Sequence, residues 1–454
     1  MPLHHLKCSL ILATGLFLAG CQTSYLAPEV ETQWQQQPAA TPEFSELQNW
    51  LQHFSDPQLN QLVDKALAQN LDLQQSLARV RAAEQQAIIS GATRLPAIDL
   101  NGSGQRQKLT TGNFSENYGT DLQLSWEVDL WGKLSDSAQA GKFELQAEQA
   151  TLESARLSLA GQVAKAWFDL QTEQRLLQLF QERVSNLTRN LEIIESGYRQ
   201  GINSALDLYL ARSDLASEKS QLHNQSNARL QAIRTLEILL GQHPSGDPAI
   251  VAQLPTSIIA PASLPQDIPL AMVFQRHDLQ ASYSNLLAAD REVAVAHKAR
   301  YPGLRISAAG GDSSNQFGKL FDQSSLTWSV LGSITQPIFA GGSLKAQQQK
   351  KQFELQQKEQ QFLQDVLIAY QEIYNGLDTE KILQQQLQEL TAAEDFAEAA
   401  QSLSFEEYQQ GLQDYTTVLE SQRRAFAAQS EVINVRNTLL KNRINFYLAT
   451  GSQY

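Results

Sequence analysis

The sequence predicts an α+β membrane protein: a homotrimeric β-barrel of twelve strands, four from each chain, continued by a long α-helical coiled coil. The first observation behind this prediction is an internal repeat, because Asp72-Leu73-Gln74 recurs 206 residues later as Asp278-Leu279-Gln280. The stretch Tyr198–Gly201 likewise recurs 210 residues later as Tyr408–Gly411. The other observations are two alternating strand hairpins and two long stretches without proline. A repeat of this length is a complete structural unit.

The N-terminus predicts a lipoprotein signal peptide over residues 1–20. Lys7 precedes an apolar run that is too short to span a membrane, and Leu18-Ala19-Gly20-Cys21 resembles a lipoprotein box. Cleavage there would leave Cys21 as the N-terminus, carrying covalent N-acyl (palmitate) and diacylglycerol groups, with no other cofactor. The alternative is an ordinary secretory signal with a chance cysteine. Residues 21–55, rich in Gln, Pro and Thr, then predict an extended tether.

Composition excludes two classes of function. The net charge is -13 over 454 residues and no basic patch is present, so nucleic acid is not an expected partner. The seven histidines are scattered without metal-ligand spacing, and the sequence contains neither a nucleophile elbow nor a phosphate-binding loop. We therefore expect no enzymatic activity.

The first repeat, residues 56–241, predicts a helix from Asp56 to about Arg94, a hairpin over 97–130 and long helices over 133–240. In the segment 121–129 apolar and polar residues alternate without a fault, which is typical of a strand with two unlike faces. Residues 98–103 are its predicted partner. The polar segment from Arg106 to Asn117 is predicted to be the connecting loop.

The second repeat, residues 271–454, predicts a helix, a hairpin over 303–339 and long helices over 343–450. Its strands repeat the alternation of the first hairpin: Leu304, Ile306 and Ala308 alternate with Arg305 and Ser307. Residues 242–270 contain six prolines and predict a linker on the outside, as an equatorial collar.

The long helices are predicted from 68 residues without proline in each copy, Lys133–Gln200 and Ser343–Gln410. A helix of this length is about 100 Å long. Apolar residues in the first copy step alternately by three and four, which is typical of a coiled-coil seam; they are Leu177, Phe180, Val184, Leu187, Leu191, Ile194 and Tyr198. Gly201 and Gly411 follow the long helices and predict the turns into the return helices.

The two hairpins predict that several copies of the chain assemble. An apolar face opposite a polar face fits a lipid-facing barrel with a wet interior. Four strands cannot close such a barrel, and an open sheet edge is forbidden in hydrocarbon. Three copies would supply twelve strands. The alternative from periodicity alone is two amphipathic hairpins packed on a soluble core.

These features together resemble the TolC-type outer-membrane factors, and in particular their lipidated OprM/NodT branch. The resemblance covers essentially the whole mature chain. It is carried by the motifs Leu18–Cys21, Trp126–Gly132, Gly201–Leu208, Gln336–Gly342 and Tyr408–Arg423. The family implies a homotrimeric duct in the outer membrane that extends into the periplasm and docks a periplasmic adaptor and an inner-membrane transporter.

The resemblance also implies functional residues. The family narrows its tube near the glycine turns, and the matching positions here are Asp207, Tyr408, Thr416, Glu420 and Arg423. Asp207 is expected to hydrogen-bond to Tyr408, and Arg423 to pair with Glu420. A ring of Glu420 from three chains would favour cations unless it were neutralised. The alternative for these charges is a solvated helix face.

One departure from the family concerns the position two residues after the second turn glycine. TolC has an arginine there, whereas this chain has Gln413. A closure of the tube by linked tyrosine, arginine and aspartate side chains is therefore not expected, and constrictions at Thr416 and Glu420 are expected instead. The tips presented to the adaptor would be Gly201 with Ile202 and Gly411 with Leu412. These glycines are equally expected to be helix C-caps.

The function expected from the resemblance is a passive exit duct for drugs or other small molecules. Two alternatives stay open: an exit duct for type I protein secretion, and a structural or adaptor lipoprotein without a pore. The amphipathic hairpins discriminate against the second alternative, because an adaptor needs no lipid-facing strands.

Overall fold

A computed structural model describes residues 50–253, 270–320 and 326–451. The predicted signal peptide, Cys21, most of the tether and much of the linker lie outside these residues. The helices are α1 Pro57–Gln69, α2 Leu71–Ala92, α3 Lys133–Arg199, α4 Ala205–Leu239, α5 His277–Lys298, α6 Ser343–Gln409 and α7 Tyr415–Ala449. The strands are β1 Ala97–Lys108, β2 Phe114–Val128, β3 Gly303–Ser314 and β4 Thr327–Thr335. Short 3-10 helices cover Trp50–Phe54, Pro248–Gln253, Leu270–Gln275 and Phe317–Lys319.

The repeat is visible in the element boundaries. Helices α3 and α6 each have 67 residues, and helices α4 and α7 each have 35. Helix α6 begins and ends 210 residues after α3, and α7 begins and ends 210 residues after α4. The prediction of two long helices per chain, each followed by a return helix, is confirmed. Among the described residues no helix is both long and apolar enough to cross a membrane.

The single helix predicted from Asp56 to Arg94 is wrong, because the structure divides it at Asn70. The Asn70 backbone N–H closes α1 on the Ala66 carbonyl, and its side-chain oxygen accepts from the Leu73 N–H of α2 at 3.0 Å. Its side-chain nitrogen also donates to the Leu239 carbonyl at 3.0 Å. One asparagine therefore ends one helix and begins the next, a role that its short amide suits.

The four strands form one antiparallel sheet in the order β1-β2-β3-β4. The predicted pairing within the first hairpin is confirmed, with Ile98 opposite Leu124 and Leu100 opposite Leu122. The two hairpins also pair with each other through β2 and β3. The predicted polar loop from Arg106 to Asn117 is wrong, because β1 continues to Lys108 and β2 begins at Phe114.

One face of the sheet is apolar across all four strands. Two cross-strand rows show this: Leu100, Leu122, Gly310 and Trp328 in one, and Ile98, Leu124, Ala308 and Val330 in the other. Trp328 is 79% exposed within the single chain. The opposite face places Asp99 beside Gln123 and Glu127 beside Arg305. A soluble sheet would bury the apolar face, so this arrangement suits lipid on one side and water on the other.

The described chain divides into two compact units. One contains the sheet and the helical segments next to it in sequence. The other contains residues 151–253, 270–279 and 366–451, with residues 50–77. In this second unit Trp50 stacks on Tyr447, and the Trp167 indole N–H donates to Asp56 at 2.7 Å.

A buried ion pair links α6 to α7 in the second unit. The Arg443 guanidinium lies 2.7 Å from the Glu380 carboxylate, and both side chains are almost fully buried. The Asn442 amide donates to the other Glu380 oxygen at 3.3 Å. A buried charge without its partner is strongly unfavourable, so each of these two residues depends on the other.

Glu380→Ala should therefore lower the free energy of unfolding by about 3–5 kcal/mol, because the buried Arg443 guanidinium loses the Glu380 carboxylate. The matched control is Glu153→Ala, which removes an exposed partner of Arg156 and should cost less than about 1 kcal/mol. Thermal unfolding of both variants in detergent, followed by circular dichroism, measures the difference. Equal melting temperatures would contradict the importance of the buried pair.

Candidate functional site

The two helix turns are built in the same way around one glycine each. Gly201 and Gly411 both have φ +74, and their N–H groups donate to the carbonyls of Tyr198 and Tyr408. The following residues, Ile202 and Leu412, close the turns by donating to carbonyls five residues earlier, at 2.8 and 2.9 Å. The C-cap interpretation of the glycines is therefore confirmed.

The side chains at the turns face solvent in the single chain. Ile202 and Leu412 are 74% and 68% exposed. Apart from the adjacent residues, no atom of the described segments lies within 4 Å of a Cβ added at either glycine. The glycines are consequently required by backbone conformation and not by close packing.

The return helices begin on different caps. Ser204 and Asp207 form a reciprocal capping box at the start of α4. At the start of α7, Asp414 accepts from the Thr417 N–H at 2.9 Å and from the Thr416 hydroxyl at 2.7 Å. These hydrogen bonds, first that from Thr416, hold the pKa of Asp414 below its usual value.

The predicted hydrogen bond between Asp207 and Tyr408 is wrong. The Asp207 carboxylate accepts from the Ser204 N–H at 3.2 Å, and the buried Tyr408 hydroxyl has no hydrogen-bond partner among the described residues. The Asp207 carboxylate caps α4 instead of bonding to Tyr408. Burial of the Tyr408 hydroxyl raises the pKa of Tyr408 to about 12, and the charge of the nearby Asp207 makes a smaller contribution in the same direction.

A small core holds the two turns together. Ile194, Leu208 and Ala211 of the first repeat are buried against Tyr415 and Val418 of the second. The Tyr415 ring lies 5.4 Å from the ring of Tyr408, centroid to centroid. Burial also raises the pKa of Tyr415, whose hydroxyl has no hydrogen-bond partner in the part of the chain that the structure describes.

The predicted pairing of Glu420 with Arg423 is confirmed. Arg423 lies 3.2 Å from the Glu420 carboxylate, and Arg424 lies 2.8 Å from its other oxygen. The hydrogen bond from Arg424, followed by the charges of both arginines, holds the pKa of Glu420 below its usual value. Two arginines against one carboxylate leave this triplet with a net positive charge, so the carboxylate is neutralised.

Three residues of this region were not singled out from the sequence. Asp414 could have been found as an N-cap, because it directly precedes a helical run and occupies the position of Ser204 in the repeat. Arg424 could have been found from its spacing of four residues after Glu420. Nothing in the sequence around Tyr415 distinguishes it from the neighbouring polar positions as a buried residue.

Residues 62–242 and 273–452 match the family described as outer membrane efflux protein. The chain belongs to this family. That membership places it in the outer membrane and agrees with the resemblance drawn from its motifs. The two matched segments correspond to the two repeats.

Individual relatives match along almost their whole length. The antibiotic efflux pump outer membrane protein ArpC of Pseudomonas putida is 31% identical, over 96% of this chain and 94% of its own. The probable outer membrane lipoprotein SilC of Salmonella typhimurium is 26% identical, over 97% and 98%.

Solved structures share the fold. The outer-membrane channel OprN is 24% identical and superposes with a TM-score of 0.82, covering 95% of this chain and 97% of its own. VceC from Vibrio cholerae is also 24% identical, with a TM-score of 0.80 and coverages of 89% and 98%. The predicted fold class, four strands in each largely helical chain, is confirmed.

The raised pKa of Tyr408 predicts a pH dependence. An unfolded tyrosine ionises near pH 10, whereas the folded phenol stays neutral up to about 12. The stability that this burial contributes is therefore complete below pH ~10 and is lost as the pH rises towards 12. Titration of phenolate absorbance in wild type and Tyr408→Phe should differ by one group ionising near 12. A missing group that ionises near pH ~10, as a free tyrosine does, would contradict the burial of this hydroxyl.

Proposed function

We propose that three copies of this chain close one barrel in the outer membrane and form the passive exit duct of an efflux pump for small molecules. The observation that carries this proposal is the sheet: its apolar face runs across all four strands, and β1 and β4 are edge strands. Edge backbone groups in hydrocarbon have no water to bond, so the edges need strands from other copies.

The remaining parts of the duct follow from the helical hairpins. Their glycine turns present Ile202 and Leu412 outward, and exposed apolar residues at a helical tip suit the helical tips of a periplasmic adaptor. An inner-membrane transporter would supply the energy, because the chain itself offers no phosphate-binding loop. Cys21, outside the described residues, would add a lipid anchor of N-acyl and diacylglycerol groups.

The class of cargo is proposed from relatives. ArpC is named for antibiotic efflux, and a relative in Pseudomonas putida that is also 31% identical is named as a toluene efflux pump outer membrane protein, TtgC. Small lipophilic molecules are therefore the proposed cargo. Nothing in the described strands or helices favours a polypeptide cargo over these.

Deletion of the gene, with complementation, tests the cargo. Cells without the protein should accumulate a lipophilic antibiotic several-fold more than complemented cells, while their profile of secreted proteins stays unchanged. Loss of a secreted protein with unchanged antibiotic accumulation would instead support protein secretion. Unchanged accumulation together with an unchanged secretome would contradict an export function of either kind.

Residues Thr416, Glu420 and Arg423 are proposed to narrow the duct near the glycine turns, with Asp207 and Tyr408 beside them. Thr416→Ala combined with Glu420→Ala should then raise the single-channel conductance in planar bilayers, because two side chains leave the constriction. The control is Leu206→Ala, which lies at the position of Thr416 in the first repeat and should leave conductance unchanged. An unaltered conductance in the double variant would contradict the assignment.

A further inference from the structure

An open groove runs between α6 and α7 near the second glycine turn. Its volume is about 860 Å³ and its wall consists mainly of small side chains. Among the lining residues are Ala393, Ala397 and Ala400 of α6 and Thr417, Ser421 and Ala428 of α7. Ala393 and Ala400 are exposed in the single chain, and Phe396 at the same groove is 77% exposed.

The first repeat has larger side chains at the equivalent positions. Subtracting the 210-residue offset from Ala393, Ala397, Ala400 and Ala428 gives Arg183, Leu187, Asn190 and Glu218. Leu187 and Asn190 are only 4% and 8% exposed. Arg183 lies 3.1 Å from the Glu218 carboxylate. The equivalent groove of the first repeat is thus much smaller: the space beside Arg183 and Leu187 has a volume of about 80 Å³.

The element that covers the first groove is α7. The Phe426 ring lies 4.8 Å from the Phe180 ring, and the Arg183 guanidinium lies 4.2 Å above the same Phe426 ring. Farther along, the Asn437 amide donates to Asp169 at 2.7 Å. These contacts show that α7 packs antiparallel along α3.

The same register places Leu419 against the middle of the first groove. Leu419 lies seven residues before Phe426. Because the two helices run antiparallel, the residues of α3 opposite Leu419 lie seven residues after Phe180 and Arg183, at Leu187 and Asn190. Leu419 is half-buried and, like Leu191 of α3, packs against the core beneath the turns.

Within each chain α7 packs on α3. In a closed ring that repeats this packing between chains, the α4 of one copy would lie on the α6 of the next. The 210-residue offset then replaces Leu419 by Tyr209. Tyr209 is 67% exposed in the single chain, whereas Leu419 is half-buried.

We propose that Tyr209 of one copy inserts against Ala397 and Ala400 of the next copy, with α4 seated in the groove between α6 and α7. The sizes are complementary: the register places a leucine opposite Leu187 and Asn190 inside the chain, and a larger tyrosine opposite two alanines between chains. The inference rests on the trimer of the proposed function. It brings Tyr209 beside Thr416, Glu420 and Arg424, which line the same groove, so the contact between copies adjoins the proposed constriction.

Cysteine cross-linking tests this contact in the full-length protein. Tyr209→Cys combined with Ala400→Cys should give covalent dimers and trimers on a denaturing gel after mild oxidation or treatment with a short thiol cross-linker. Either substitution alone should give none. The matched control carries Asn190→Cys and Leu419→Cys, the same pair shifted by one repeat, and should cross-link within one chain without a gain in mass.

The possible results separate the contact from the trimer. Trimers could stay intact in detergent and yet fail to cross-link when Tyr209→Cys is combined with Ala400→Cys or with Ala397→Cys. This result would overturn the contact but not the proposed duct. Absence of trimers in the wild type would overturn the proposed function itself.

As a second readout, Tyr209→Ala should lower the temperature at which trimers dissociate, Tyr209→Phe should not, and Ile202→Ala at the tip should also have no effect. Equal dissociation temperatures for all of them would overturn the contact.

Discussion

The unpaired backbone along the outer edges of β1 and β4 is the constraint on which the rest of the structure depends. In water such an edge can be solvated or protected by charge, but in hydrocarbon every N–H and C=O group needs a protein partner. One face of the sheet exposes large apolar side chains such as Trp328 and Leu100, which suit contact with lipid. A chain with four strands therefore cannot be complete alone, and its assembly is a consequence of hydrogen-bond chemistry and not only of surface complementarity.

The internal repeat gives the chain two copies of one backbone design with different side chains. Both copies turn on a glycine with the same positive φ, and their helices keep a constant offset. At the equivalent positions, however, the first copy holds the ion pair of Arg183 with Glu218 and the second holds two alanines. The backbone repeat lets similar interfaces form within and between chains. The triplet of Glu420, Arg423 and Arg424 occurs only in the second copy, because the first copy has Leu210, Ser213 and Asp214 at these positions.

Much of this fold could be predicted from the sequence because its signals are local. Proline-free stretches and turn glycines locate the long helices, and faultless alternation locates β2. The predictions failed where a residue had competing partners or lacked an apolar pattern. Residues 106–108 and 114–117 pair as strand although their polar side chains resemble a loop. Asn70 interrupts a helix through its own amide, and Asp207 caps α4 instead of reaching Tyr408.

The mass of the protein extracted from membranes in mild detergent tests the central claim most directly. If open strand edges force copies together, native mass spectrometry should find three times the mass of one chain, and extraction should require detergent because salt does not release the protein. On unboiled denaturing gels the same species should run as an oligomer that heating converts to single chains. A single-chain mass with the strand signal intact in circular dichroism, or release by salt alone, would contradict the account.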